Sequence, residues 1–295
     1  MKLTTKLNDY RVAPGKKLDL AKRPTAIKAL YKSKSEYREL LAEYREELSD
    51  FQRVLYAHDR YALLLIFQGM DTSGKDGAIR HVMSGVNPQG CQVFSFKRPS
   101  KEELDHDYLW RTTVRLPERG RIGIFNRSYY EEVLVARVLP EVLAGQRLPE
   151  ECVNPKTIWK ERFSDIVNFE DYLTRNGTRV VKFFLHISKE EQRQRLLARI
   201  EKPDKNWKFE MGDLDMRTRW DDFQHVYAEA LAATSTAAAP WYVVPADDKH
   251  NARLIISKVI TETMRGLRMA YPEVGEEQRE KLKAVARVLE DEAED

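Results

Sequence analysis

Five short apolar runs alternate with helical patterns along the chain. They begin at Tyr61 ("YALLLIF"), Cys91 ("CQVFSF"), Arg121 ("RIGIF"), Arg179 ("RVVKFFLHI") and Trp241 ("WYVV"). Runs of this kind predict strands that are buried on both faces, and their alternation with helices predicts a parallel sheet. We therefore expect an α/β fold, a three-layer α/β/α sandwich around a five-stranded parallel sheet.

Amphipathic and polar segments flank these runs. Ser35 to Tyr56 predicts a long helix because its apolar residues recur at helical spacing: Leu40, Tyr44, Leu48, Phe51 and Leu55. The segment "EEQREKLKAVARVLEDEAED" predicts a surface helix. No linker rich in Gly, Pro or Ser divides the chain. We predict a core domain at 61–270 with a lid at about 193–215, an N-terminal extension at 1–60 that packs on the core, and a C-terminal surface helix at 271–295.

Composition narrows the class of protein. The 50 basic and 47 acidic side chains nearly cancel, so global charge does not favour a nucleic-acid partner, and an anion site must come from local clustering. Cys91 and Cys152 share no metal or redox spacing, which indicates a reducing compartment, and the six histidines show no ligand spacing. The start "MKLTTKLNDY" lacks the apolar core of a signal peptide, and no apolar run approaches the roughly 20 residues of a membrane helix. We expect a soluble, cytoplasmic protein without a membrane partner.

The segment Gly69 to Asp76, "GMDTSGKD", fits the phosphate-loop pattern G-x-x-x-x-G-K, with Asp in the place usual for Ser or Thr. It follows a predicted strand and opens a predicted helix. A helix start carries unpaired N–H groups and about +0.5 of an elementary charge, so Lys75 there favours a bound phosphate. The alternative is a glycine-rich turn with a surface lysine. The phosphate-binding prediction covers the whole loop: Gly69, Met70, Thr72, Ser73, Gly74, Lys75, Asp76 and Gly77.

Two carboxylates in this loop, Asp71 and Asp76, would repel phosphate unless a cation lies between them. Mg²⁺ prefers oxygen ligands and usually combines one or two carboxylates with substrate phosphates. We therefore predict a Mg²⁺ site, with Mn²⁺ as an alternative ion. Asp71 would bind the metal or orient an accepting oxygen. The alternatives are an Asx turn for Asp71 and stabilisation of the helix start for Asp76.

The segment "RIGIFNRSYYEEV" places Asn126 and Arg127 just beyond a buried strand, at the sheet edge where open α/β folds bind ligands. Arg127 could stabilise charge on a transferring phosphoryl group. Ser128 and Glu131 have the spacing of a capping box, so Glu131 has either a structural or a site role. Lys97 and Arg98 follow the second strand and are expected at the same edge.

A basic segment, "RQRLLARIEKPDKNWKF", runs from Arg193 to Phe209. Pro203 is expected to end its helix, and a mobile basic segment here resembles the lids of nucleotide kinases, which close over phosphates. A solvated charged surface is the alternative for any single lysine. The favoured anion contacts of the lid are Arg199 and Lys202.

Four segments together resemble the type 2 polyphosphate kinases: "FQGMDTSGKDGAIRHVM", "FSFKRPSKEELDHDYLWR", "GIFNRSYYEEVLVARV" and "EKPDKNWKF". The likeness extends roughly from Tyr10 to Arg268. It implies a thymidylate-kinase-like P-loop fold, Mg²⁺ dependence, and reversible phosphoryl transfer between inorganic polyphosphate and a nucleotide. It also implies a homodimer or homotetramer.

Matched to that family, the loop acid falls on Asp71 and the loop lysine on Lys75. The second pair, commonly Asp-Arg, falls on Asn126 and Arg127. Asn126 departs from the pattern and leaves either hydrogen bonding or a metal contact through its carbonyl oxygen. "SYYEE", where "SWYNR" is common, resembles the branch that phosphorylates both AMP and ADP, and this implies that Glu131 or Glu132 positions metal or nucleotide.

The resemblance implies a division of roles. The predicted catalytic residues are Asp71, Lys75, Asn126, Arg127 and Glu131, and the predicted metal ligands are Asp71, Asn126 and Glu131. The predicted cations along polyphosphate are Lys75, Arg80, Lys97, Arg98, Arg127, Arg199, Lys202 and Lys208. Adenine nucleotides are the expected acceptors, with guanine nucleotides as an alternative. The rival functions are an ATP-dependent P-loop kinase and a non-catalytic polyphosphate- or nucleotide-binding protein.

Overall fold

A computed structural model describes residues 3–203, 206 and 212–292 of the chain. Its sheet has five parallel strands in the order β2-β3-β1-β4-β5. The strands are β1 (Ala62–Gln68), β2 (Cys91–Ser95), β3 (Ile122–Asn126), β4 (Thr178–His186) and β5 (Trp241–Pro245). Each lies within a residue or two of its predicted run, so the predicted five-stranded parallel sheet is confirmed.

Helices cover both faces of this sheet and form the three-layer sandwich. In chain order they are α1 (Lys34–His58), α2 (Lys75–Val82), α3 (Lys101–Leu104), α4 (Trp110–Thr113), α5 (Glu131–Val138), α6 (Pro140–Ala144), α7 (Ile158–Arg175), α8 (Lys189–Glu201), α9 (Gly212–Thr218), α10 (Trp220–Thr234), α11 (Lys249–Arg265) and α12 (Glu276–Asp291). One layer contains α2 and α11, with α1 packed over α11. The other layer contains α5, α7 and α10. No described helix combines the length and the apolarity that a membrane crossing requires.

The long helix α1 has clear start and stop signals. Ser33 caps its N-terminus by accepting a hydrogen bond from the Glu36 amide, and Asp59 ends it in the left-handed conformation. Its apolar stripe is buried, with Leu48 and Leu55 at most 1% exposed. The predicted helix is therefore present and extends slightly beyond both predicted limits.

The N-terminal segment covers one edge of the sheet. The amide of Val12 donates to the Trp241 carbonyl at 2.9 Å, and the amide of Val243 donates to the Tyr10 carbonyl at 2.8 Å. This antiparallel pairing protects the edge of β5 from pairing with other strands. The sequence pattern gave no sign of this pairing because three residues are too few to show a strand period.

The last helix, α12, lies on the surface. Four of its apolar side chains are more than half exposed: Leu282, Val285, Val288 and Leu289. In the predicted lid, α8 ends at Glu201, just before Pro203, and α9 begins at Gly212. Lys208, a predicted polyphosphate contact, lies outside the described residues.

Candidate active site

The loop between β1 and α2 is held in an unusual backbone conformation. Gly69 has φ +152° and Gly74 has φ +100°, and Thr72 adopts the left-handed region at φ 62°. A Cβ on Gly69 would lie 2.8 Å from the carbonyl oxygen of Leu185, so no larger residue fits without movement. The loop therefore turns tightly between the sheet and the start of α2, where unpaired helix-start amides favour a bound anion.

Lys75 is buried at the start of α2 and is only 8% exposed. Its ammonium donates to the carbonyl of Gly69 at 2.7 Å and to that of Met70 at 3.3 Å. Burial lowers the pKa of Lys75 to about 8, and the charge of Arg127 acts in the same direction. The alternative of a surface lysine is therefore wrong: this cation is held inside the loop, where a bound anion would stabilise it.

Arg127 and Asp71 join the two predicted motifs. Arg127 Nη2 donates to Asp71 Oδ1 at 2.9 Å, and the arginine side chain is 41% exposed while the aspartate is 18% exposed. Arg127 has φ 65°, a left-handed conformation that is uncommon for a branched or long side chain. Its amide still donates to the Phe67 carbonyl at 3.0 Å, which continues the sheet pairing. Within the described structure, the Asp71 carboxylate accepts no hydrogen bond from its own loop, which argues against the Asx turn.

Asn126 makes hydrogen bonds through its amide nitrogen. The Nδ2 group donates to Asp76 Oδ1 and to Ser95 Oγ, the latter at 3.4 Å. Of the two roles that its departure from the family pattern left open, hydrogen bonding is present here. Asn126 thus links the end of β3 to the first turn of α2, where Asp76 is exposed.

The predicted capping box of Ser128 and Glu131 is wrong. The Ser128 hydroxyl accepts from the Tyr130 amide at 3.2 Å and from Gln68 Nε2 at 3.3 Å. Helix α5 begins only at Glu131, so Ser128 lies before the N-cap position, which is occupied by Tyr130. Glu131 itself faces the loop and opposes the lowering of the Lys75 pKa.

A buried network anchors the segment that carries Arg127. The hydroxyls of Tyr129 and Tyr130 each donate to Glu170 Oε1 at 2.9 Å, and Lys182 forms an ion pair with the same carboxylate. All four side chains are fully buried. Burial raises the pKa of Glu170 and lowers that of Lys182, and their pairing opposes both shifts. The sequence contained one signal for this network, a lysine inside the apolar run "RVVKFFLHI".

Arg195 on α8 stabilises the phosphate loop through hydrogen bonds to its backbone. Its Nη1 donates to the carbonyls of Thr72 at 3.0 Å and Ser73 at 2.9 Å, and its Nη2 donates to Ala246 at 2.7 Å. Sequence reasoning missed this residue and favoured Arg199, one turn further along α8. The run of arginines gave no indication of which one turns inward, because only the tertiary contact distinguishes them.

A cavity of about 530 Å³ opens beside the loop. Its charged wall contains Asp71, Lys97, Arg98, Arg127 and Glu131, and its apolar wall contains Phe96, Val135, Leu139, Val142, Phe223 and Tyr227. Burial raises the pKa of Tyr227 well above its ordinary value, and the nearby carboxylates of Glu131 and Asp71 add to the effect. The cavity combines the charged and apolar surfaces that a nucleotide requires.

Glu132 also lines this cavity but differs from its neighbour Glu131. Arg111 donates to Glu132 Oε1 at 3.2 Å, Gln146 donates to the other oxygen, and Arg162 donates to the Glu132 backbone carbonyl at 2.7 Å. Burial raises the pKa of Glu132, and Arg111 and Arg162 oppose the rise. Because Arg111 and Gln146 already bind the Glu132 carboxylate, Glu131 is the freer of the two to face a ligand.

The predicted cations are distributed around this centre. Lys97 and Arg98 are exposed and line the cavity, whereas Arg80 is exposed on α2. Lys202 is exposed at the end of α8. Loop, strand-end and cavity residues therefore lie together; of the predicted lid, Gly212 lines the cavity, whereas Arg199 and Lys202 are not among its lining residues.

The donor set suits Mg²⁺ that arrives with phosphate. In the described part of the chain, no three His, Cys, Asp or Glu side chains form a preassembled metal site. The carboxylates of Asp71 and Glu131 nevertheless both lie close enough to Lys75 and Tyr227 to raise the pKa of each group. One or two carboxylates together with substrate phosphates are the usual surroundings of Mg²⁺, so these residues fit the ion.

Comparison with known proteins agrees with this geometry. The sequence profile of polyphosphate kinase 2 matches residues 31–271. An ADP-polyphosphate phosphotransferase of Rhodopseudomonas palustris is 57% identical over 282 residues, which cover 96% of this chain and 97% of the relative. An AMP/ADP-polyphosphate phosphotransferase of Meiothermus ruber is 43% identical over 268 residues, covering 90% and 96%.

Among solved structures, polyphosphate kinase 2 from Arthrobacter aurescens superposes with a TM-score of 0.86 at 35% identity, covering 97% of this chain and 99% of that one. The sheet order and the phosphate loop described above therefore belong to a P-loop kinase fold that this protein shares. The chain is a member of the polyphosphate kinase 2 family.

Proposed function

We propose that this protein transfers the terminal phosphoryl group of inorganic polyphosphate to AMP and ADP. The observation that carries the proposal is the 57% identity, over nearly both full lengths, to an ADP-polyphosphate phosphotransferase. The relative at 43% identity is named for both AMP and ADP, which supports the wider acceptor range. The arrangement of Lys75, Asp71 and Arg127 supplies the phosphate-binding chemistry that such a transfer needs.

On this proposal the donor phosphates lie on the loop. Its amides and the Lys75 ammonium offset their negative charge, and a bound anion would keep Lys75 protonated above the pH at which it otherwise loses its proton. The acceptor occupies the cavity, with its base against the apolar wall and its phosphates toward Arg127, Lys97 and Arg98. Catalysis is then placement of donor and acceptor in line, together with stabilisation of charge.

Arg127 has the central position in this scheme. It lies between the loop and the cavity, and Asp71 holds its guanidinium at 2.9 Å. When phosphates enter, the guanidinium can exchange the carboxylate for phosphoryl oxygens, since both groups offer two oxygens that accept hydrogen bonds from its N–H groups. Asp71 is then released to face the acceptor oxygen.

Asp71 and Glu131 are the residues that would hold Mg²⁺, and Asn126 donates one hydrogen bond to Asp76, the other acid of the loop. When bound with the phosphates, Mg²⁺ would reduce their mutual repulsion and stabilise charge on the leaving oxygen. The proposal extends to Mn²⁺ as a substitute ion, to guanine nucleotides as slower acceptors, and to a homodimer or homotetramer in solution. We also propose a cytoplasmic location, which the free thiols of Cys91 and Cys152 support.

One experiment separates this proposal from its rivals. The purified protein is incubated with long-chain polyphosphate, Mg²⁺ and either AMP or ADP, without ATP, and the nucleotides are resolved by chromatography. We expect ADP and then ATP to form. An ATP-dependent P-loop kinase would form neither product under these conditions. A polyphosphate-binding protein without activity would retain the polymer on a filter and leave both nucleotides unchanged.

A further inference from the structure

A second cluster of cations lies outside the cavity, on the layer that contains α1, α2 and α11. Arg253 connects it to the phosphate loop: its Nη2 lies 3.9 Å from the position that a side-chain carbon on Gly77 would take. Gly77 belongs to the first turn of α2, directly after Lys75 and Asp76. Tyr37 receives a hydrogen bond from Arg253 Nη1 at 3.2 Å, so the arginine bridges α2 and α1.

The cations extend in two directions from Arg253. Burial lowers the pKa of His81, and three nearby cations lower it further: Arg45, Arg80 and Arg253. Burial also lowers the pKa of His250, which Asp248 opposes, and three cations again act on it: Lys34, Lys249 and Arg253. Because Arg253 belongs to both groups, the two groups are continuous.

Helix α1 separates its charges by face. At about 100° per residue, Lys34, Arg38 and Arg45 fall within about 40° of one another. The acids of the same segment fall on the opposite side of the helix: Glu36, Glu39, Glu43, Glu46 and Glu47. The basic face points toward α2, because Arg45 Nε donates to the His81 carbonyl at 2.7 Å. This basic face runs about 16 Å along the helix axis at 1.5 Å per residue.

We propose that these six residues form a basic track for the part of the polyphosphate chain that extends beyond the catalytic loop: Lys34, Arg38, Arg45, Arg80, Lys249 and Arg253. This inference rests on the proposed function. A polyphosphate whose end lies on the loop is a linear polyanion that must continue across the protein surface. The track begins at the loop itself and presents cations from three helices, which suits a flexible polymer of phosphates.

The track would select for chain length. Tripolyphosphate is short enough to contact only the loop and its immediate neighbours, whereas a long chain also reaches α1 and the start of α11. The added contacts should increase affinity for long chains and should weaken with salt, since counterions are released from the polymer on binding.

The test compares two sets of charge reversals. The track variant carries Lys34→Glu, Arg38→Glu and Lys249→Glu, three exposed residues away from the loop. The matched control carries Lys156→Glu, Lys160→Glu and Arg175→Glu, three exposed residues in or beside α7, in the opposite layer. Thermal unfolding verifies the fold, and Lys→Gln and Arg→Gln versions at the same track positions replace the reversals if these do not fold.

KM is measured for long-chain polyphosphate and for tripolyphosphate with the same nucleotide acceptor, at several salt concentrations. We expect the track variant to raise KM for the long chain roughly tenfold and to flatten its salt dependence, with less than about twofold change for tripolyphosphate. The control should leave both values as in the unmodified protein. Equal changes for the two donors, or no change for the long chain, would overturn the track.

Three further outcomes are decisive. If the unmodified protein transfers no phosphate from any polyphosphate, the proposed function fails; if it transfers phosphate but the variants show no dependence on chain length, only the track fails. A track variant that loses binding of single-stranded nucleic acid while it keeps its KM for long polyphosphate would also refute the proposal, because the surface would then serve another polyanion.

Discussion

Asp71 Oδ1 accepts a hydrogen bond of 2.9 Å from Arg127 Nη2. Asp71 follows the end of β1 and Arg127 follows the end of β3, and Arg127 has a left-handed backbone conformation. A left-handed conformation costs roughly 1–2 kcal/mol for a residue other than glycine. The fold maintains this conformation through the buried tyrosines that follow Arg127 and their contacts with Glu170. The position of the guanidinium at the cavity is thus maintained against a local preference of the chain.

Replacing Arg127 should separate activity from stability. We expect Arg127→Ala and Arg127→Gly each to reduce phosphoryl transfer roughly 10³-fold, since a cation at the transferring group is lost. Arg127→Gly should also raise the free energy of unfolding by about 1 kcal/mol relative to Arg127→Ala, because glycine accepts the left-handed backbone. Initial rates and urea unfolding measure the two effects. Arg119→Ala, an exposed arginine before the same strand, should change neither.

Lys75 should impose a pH limit on donor binding. Its pKa is lowered to about 8 without ligand, so its positive charge is present below that pH and is lost as the pH rises through it. We therefore expect kcat/KM for polyphosphate to fall above about pH 8. A bound polyanion favours the charged form, so kcat at saturating donor should fall only at higher pH.

The control for this pH profile is Lys75→Arg, whose guanidinium does not titrate in the range. Whatever its absolute activity, this variant should lose the decline of kcat/KM near pH 8. If the decline persists unchanged in Lys75→Arg, another group is responsible.

Removal of one partner of the Glu170–Lys182 pair should reduce the free energy of unfolding more than removal of both. Glu170→Leu leaves the Lys182 charge buried without its partner and should reduce the free energy of unfolding by roughly 3–5 kcal/mol. The double variant Glu170→Leu with Lys182→Met should recover part of this loss, since the buried charge is gone while the Tyr129 and Tyr130 hydroxyls still lack their acceptor. Chemical denaturation measures both, and Glu161→Leu, an exposed carboxylate on the same helix, should change stability by less than about 0.5 kcal/mol. Failure of the double variant to recover would contradict the pairing argument.

Gly69 should tolerate no side chain. Gly69→Ala places a Cβ 2.8 Å from the Leu185 carbonyl in a backbone conformation that essentially only glycine adopts, which alone costs about 1–3 kcal/mol. We expect a lower unfolding midpoint and a large loss of activity, because the loop must shift away from the sheet. Gly275→Ala is the matched control, since its added carbon meets nothing within 4 Å. An unaltered melting temperature for Gly69→Ala would show that the loop is more adaptable than its geometry indicates.

Local patterns predicted the sheet well and the interior contacts poorly. The five strands were readable because each is an uninterrupted apolar run, and the loop was readable because glycines and a lysine have fixed spacing within it. Arg195 was missed because a helix of alternating arginines and glutamines contains no local signal for which side chain reaches the Thr72 carbonyl. The capping box at Ser128 was wrong because its hydroxyl has a tertiary partner, Gln68, that the local sequence cannot reveal.

The edge pairing of Tyr10 and Val12 with β5 has a consequence for biosynthesis. The contact between Arg11 and Ala237 joins positions 226 residues apart, so the segment around Arg11 cannot complete its pairing until β5, the last strand of the sheet, has been synthesised. The central strands can assemble earlier around β1, while the outer border of the sheet closes only once translation has passed β5. Until then this border is open to misassociation, and a nascent-chain chaperone would be expected to act on it at that stage.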